Sequence, residues 1–156
     1  MALQDRLQYL RSEQDEILRI VEHLEKALEL AAKDDFSERA KAISELRALD
    51  HKLTGISGHC HAEDRLVEST FHHNLESEEF ARINREHEDI LHVLDRFREE
   101  LKFANADYTT SATARGQDLA FRLREHVAYE RGLLDRIEEM PPVTDEVLMR
   151  YTESAE

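Results

Sequence analysis

A disulfide within this chain is excluded, because its 156 residues include one cysteine, Cys60. That fits a reducing compartment. Tryptophan is absent and aromatic residues make up 6 % of the chain, so few aromatic or β-branched runs exist to build strands. Four glycines and two prolines are all that interrupt the chain. Basic residues are outnumbered, 21 Lys and Arg against 35 Asp and Glu, leaving a net charge of -14. A phosphate backbone would be repelled, which argues against nucleic acid as a partner. The same charge opposes an anionic membrane surface. It is spread along the chain with no acidic tail, and its plain reading is solubility. No stretch approaches the ~18 apolar residues of a membrane helix. Met1-Ala2-Leu3-Gln4-Asp5 lacks an apolar signal core, so the expected location is cytoplasmic.

What is present points to helices. Hydrophobic residues are 40 % and charged residues 36 % of a chain rich in Ala, Glu, Lys, Leu and Arg, a helical balance. The length suits one domain, large enough to bury roughly 68–70 % of its unfolded surface. Turn chemistry divides it. Asp34-Asp35 with Ser37, His73-Asn74 with Ser77, and Asn105 to Ser111 mark three breaks, and Met140-Pro141-Pro142 a stop. The expected helices are 3–33, 37–73, 77–104 and 110–139. A bundle over residues 1–140 is followed by a tail, 141–156, with a short helix capped by Thr144 and carrying Val147, Leu148 and Tyr151. Each long segment has a stripe at helical period, such as Leu10, Ile17, Val21 and Leu24 in the first, and Leu119, Leu123, Val127 and Leu134 in the fourth. Short connections make successive helices antiparallel neighbours, so the fold class is all-α, an up-down-up-down four-helix bundle.

Polar residues on those stripes need a partner or a function. At 100° per residue, His87 falls between Ile83 and Leu91, and His126 lies with Leu119, Leu123 and Leu133. His59 sits at the edge of its stripe, near Ile56, whereas His23, His61 and His92 point away. His59 is followed one turn later by Glu63, and His126 by Glu130. That spacing puts each pair on one helix face, where the two side chains can share a metal. Measured from the helix ends, His59, His87 and His126 lie at depths that agree within about one turn. Three histidines and two glutamates from three helices are therefore expected in one core layer, and a cation would offset the cost of the buried carboxylates. The first helix meets that layer at Gln14, between Leu10 and Ile17. Glu25 also points inward but lies about 16 Å further along the axis, where a buried salt bridge is expected. Cys60 reads as a core residue, and Tyr129 as packing rather than a donor to the centre. Gly55 and Gly58 read as points of close helix approach.

These residues resemble the hemerythrin-like, or HHE cation-binding, family in its bacterial branch, over about residues 10–140. The signatures are Glu13-Gln14-Asp15-Glu16-Ile17-Leu18, His59-x-x-x-Glu63, Glu86-His87 with Ile90, and His126-x-x-x-Glu130. Two departures stand out. Gln14 occupies a place where the family usually has histidine, and Leu91 replaces the second histidine of the oxygen carriers. The resemblance implies His59, His87 and His126 as terminal metal ligands, with Glu63 and Glu130 bridging or capping two ions. Such mixed ligands suit iron, or manganese, better than a closed tetrahedral zinc site. Gln14 can coordinate weakly, hydrogen-bond a water on the metal, leave a position open, or lower metal affinity. The implied function is a diiron protein that binds or senses O2, NO or the iron and redox state, with a small diatomic or peroxide ligand and a homodimer allowed for. Two alternatives stay open: a diiron enzyme acting on peroxide or NO or in iron-sulfur repair, and a metal-poor bundle acting as an interaction module.

Overall fold

Asp35 ends one helix connection and starts the next helix: its side chain accepts the backbone N–H of Glu38 at 2.9 Å, filling one of the donors a helix start leaves open. A second start is made at Glu76, whose N–H donates to the Glu79 side chain at 2.9 Å. The third break closes on Asn105, whose side-chain oxygen accepts from the N–H groups of Asp107 and Tyr108. The structure, a computed structural model, describes residues 2–140. They form four helices: α1 Leu3–Ala31, α2 Phe36–Thr70, α3 Ser77–Phe103 and α4 Thr110–Glu139. The anticipated boundaries agree within three residues at every end. The anticipated tail helix lies outside the described residues. Among those residues there is no strand, only an isolated bridge between Asn105 and Tyr108. No helix of theirs is long and apolar enough to cross a membrane.

Each helix packs against two others: α1 against α2 and α4, and α3 against α2 and α4. Polar ties join helix ends. Arg11 near the start of α1 reaches Asp135 and Glu138 near the end of α4. Arg136, also near the end of α4, holds Glu79 at the start of α3. Arg47 donates to the carbonyls of Leu101 and Ala104 at the end of α3.

The apolar core comes in two blocks. One is large and includes Ile17, Leu24, Leu53, Ile56, Cys60, Ile90, Phe97, Leu119 and Leu123. The other is small: Leu7, Leu10, Val67, Phe71, Leu75, Ile83, Leu133, Leu134 and Ile137. Each fully buried aliphatic or aromatic side chain stabilises by about 1.5–3 kcal/mol, so interrupting the core forfeits several such contributions. The interruption falls at one height on every helix: after Leu10, after Cys60, after Ile83 and before Leu133. Polar side chains fill it.

Candidate metal centre

Among the described residues, five polar or charged side chains are buried: Gln14, Glu63, Asp64, His126 and Glu130. They come from α1, α2 and α4. From α3, His87 and Glu86 lean into the same layer with side chains 13 % and 21 % exposed. Local helix geometry explains the placement. Glu63 and Asp64 follow Cys60 by three and four residues, so they straddle the inward line that Cys60 and Val67 define. His126 and Glu130 are one turn apart on the inward face of α4.

His126 is the hub. Its Nε2–H donates to Oδ1 of Asp64 at 3.0 Å, and the same nitrogen lies 3.1 Å from Oε1 of Glu130. Its other nitrogen, Nδ1, is 3.7 Å from Oε1 of Glu86. Oδ2 of Asp64 is 3.3 Å from Nδ1 of His87, so one carboxylate spans two imidazoles. Asp64, His126 and Glu130 each present a ligand atom, all within 4.8 Å of one another.

These groups outnumber the hydrogen bonds that satisfy them. Both carboxylate oxygens of Glu130, Oδ2 of Asp64, Oε1 of Glu86, and Nδ1 of His87 and His126 are buried without a hydrogen-bond partner. Their near neighbours are close but not aligned for one. A buried polar group left so costs about 1–3 kcal/mol, more when charged, which is a large sum to concentrate in one layer.

The titration behaviour has the same origin. Burial pushes the Glu130 carboxyl well above its ordinary value. Burial also raises Glu63, against the lowering effect of hydrogen bonds from its neighbours. Burial lowers His87. In His126 burial works against charging, but the carboxylates of Asp64, Glu130 and Glu86 outweigh it and hold the imidazole protonated far above its usual range. These carboxylates thus favour the imidazolium form of His126, with both ring nitrogens protonated.

A second arrangement occupies the α1 side. Gln14 Nε2 donates to Oε1 of Glu63 at 3.0 Å, and Gln14 Oε1 accepts from Nε of Arg131 at 3.2 Å. The Arg131 guanidinium also pairs with Asp15. Both ends of the Gln14 amide are therefore engaged.

His59 does not join the layer. Its side chain is 53 % exposed and its Nδ1–H donates to Glu13 at 2.7 Å. The inward expectation failed because His59 lies one residue before Cys60, about 100° around the helix from the buried line. Glu25 pairs with Arg124 as a salt bridge, but a half-exposed one, with side chains 38 % and 45 % exposed. Gly55 and Gly58 mark no close approach, since a Cβ at either would meet nothing within 4 Å. Gly116 does: a Cβ there would lie 2.6 Å from Leu28 and 2.9 Å from Phe97. Cys60 is a core residue whose thiol burial pushes far up. Tyr129 packs, with the Arg82 guanidinium 3.8 Å above its ring. His23, His61 and His92 are exposed, as their angles implied.

Three members of the layer escaped the sequence reading: Asp64, Glu86 as a neighbour of His126, and Arg131. Asp64 carried a usable signal, being four residues after Cys60 and three before Val67. No family model matches the chain, and no characterised protein or solved structure matches it at a significant level.

Proposed function

We propose that this protein is a non-haem metal-binding bundle, of up-down-up-down order, whose polar core layer holds a divalent ion, iron first, to bind or sense a small ligand such as O2 or NO. The observation that carries the reading is Glu130: 1 % exposed, with two carboxylate oxygens that have no aligned hydrogen-bond donor, only the His126 ring 3.1 Å from one of them. It stands beside Asp64 and His126 with ligand atoms within 4.8 Å. A cation among them would replace the proton on His126 and satisfy the orphaned oxygens together. The donor set fits: imidazole and carboxylate in a mixed shell suit iron or manganese. Asp64, His126 and Glu130 would hold the ion, with His87 on the far oxygen of Asp64. Glu86, facing the remaining nitrogen of His126, would orient that ring, as outer carboxylates do for metal-bound histidines. A ferrous ion held there would supply the chemistry to bind a diatomic ligand.

The hemerythrin-like resemblance shares His87, His126 and Glu130 with this reading, but it implied His59 and Glu63 as ligands where Asp64 stands with His126 here. The decisive experiment is metal analysis of protein purified without chelator, with thermal melts before and after metal removal. Binding at a hundredfold excess over Kd stabilises the fold by about 2.7 kcal/mol, worth roughly 5–10 °C in a chain of this size. An Fe2+ form that takes up NO without turnover supports sensing or carriage, whereas consumption of NO or peroxide supports the enzyme reading. Protein that binds no metal and melts identically with and without it leaves the interaction module.

A further inference from the structure

We infer that the centre takes one metal ion per chain rather than two, because the amide of Gln14, clamped between Glu63 and Arg131, fills the place a second ion would need. The inference rests on the metal-binding reading above and narrows it. A paired centre needs donors on both sides of the layer. On one side they are present: Asp64, His126 and Glu130 converge, and His87 reaches Asp64 at 3.3 Å. On the other side imidazoles are missing. His59 faces solvent and is held by Glu13 at 2.7 Å, and α1 offers Gln14.

Gln14 is not a free donor. It is wholly buried, its Nε2–H2 donates to Glu63, and its Oε1 accepts from Arg131. One of the two Glu63 oxygens, Oε1, thus receives a proton donor in place of a cation. The Arg131 guanidinium adds a fixed positive charge beside that position. Its pairing with the exposed Asp15 tempers that charge, so the guanidinium works against a second dication chiefly by holding the Gln14 amide in place. Gln14, held in turn by Arg131, gives Oε1 of Glu63 the partner that a metal would otherwise be.

The test is a titration of metal-free protein with Co2+ alone, followed by visible absorption and by metal analysis after gel filtration, with circular dichroism to confirm folding. The wild type is expected to saturate at one ion per chain. Glu130→Gln is expected to lose affinity by about tenfold or more. His59→Ala, an exposed change that leaves the core intact, is expected to keep one ion with affinity altered by less than about tenfold. Two ions in the wild type, or a tenfold loss in His59→Ala, overturns the single-ion assignment while leaving metal binding in place. No ion in the wild type overturns the metal reading itself, and this inference with it.

Discussion

Oδ1 of Asp64 receives the Nε2–H of His126 at 3.0 Å inside the core, with neither side chain more than 6 % exposed. In the proposed metal-binding form, a cation would take over the role of the proton between them. Asp64→Ala removes the carboxylate that also faces His87. Its expected effect on metal affinity is at least the about 10–100-fold that loss of an outer hydrogen-bond partner costs. Co2+ affinity of the variant measures it, and wild-type affinity in Asp64→Ala would remove Asp64 from the centre.

Gln14 makes a separate, metal-independent contribution. Gln14→Leu conserves most of the volume but leaves Oε1 of Glu63 without its donor and Nε of Arg131 without its acceptor. An orphaned buried group costs about 1–3 kcal/mol. The metal-free variant should therefore lose about that much in urea unfolding with an unchanged m-value. A variant as stable as wild type would mean that the Gln14–Glu63 hydrogen bond contributes nothing.

The layer was partly legible in the chain because helical period is a strict ruler. Gln14, His87, His126 and Glu130 lie near the middle of their stripes, and one angle per residue suffices to turn them inward. Residues near a stripe's edge are a different problem. His59 and Glu63 both sit toward one flank of α2, yet His59 is exposed and Glu63 is buried. What separates them is how α2 is rotated against α1, which depends on packing between helices. Arg131 was illegible for another reason. Its Cα lies on the flank of α4, and a long side chain reaches around to Gln14. Gly55 and Gly58 misled because glycine in a helix reads as contact, while only a neighbouring helix decides whether contact occurs.

The glycines give a paired stability prediction. Gly116→Ala gains about 1 kcal/mol of helix propensity but drives a Cβ against the buried side chains of Leu28 and Phe97. Overpacking of this kind costs about 1–3 kcal/mol, so net destabilisation is expected. Gly55→Ala and Gly58→Ala meet nothing and should each stabilise by about 0.4–1 kcal/mol. Thermal melts of the three variants decide it, and stabilisation by Gly116→Ala would show that the Leu28–Phe97 contact yields.

Cys60 offers a probe of core opening. It is 1 % exposed and burial pushes its thiol far above the ordinary range, so neither access nor thiolate is available in the folded state. Alkylation of the native protein is expected to be limited by opening of the bundle. Adding metal should slow it further in proportion to the stability gained. Labelling at the rate of a free thiol in the native protein would contradict that burial.

Acid sensitivity should come in part from Glu79. Both its oxygens accept from Arg136, each at 2.8 Å, and this pairing holds its carboxyl below the ordinary value of 4.5 against the opposing effect of burial. A carboxyl with a lower pKa folded than unfolded adds stability above the unfolded pKa. That stability is lost as pH falls through the folded one. The pair ties the start of α3 to the end of α4, and Arg136 is 43 % exposed, so screening limits the contribution to about 0.2–1 kcal/mol. Glu79→Gln keeps the shape and removes the charge. Its stability deficit is expected at neutral pH, shrinking to nothing as pH drops below the carboxylate range, and raised salt should diminish it. Urea midpoints of the two proteins between neutral pH and acid test this, and a deficit that persists unchanged in acid would assign the effect to lost packing rather than to the ion pair.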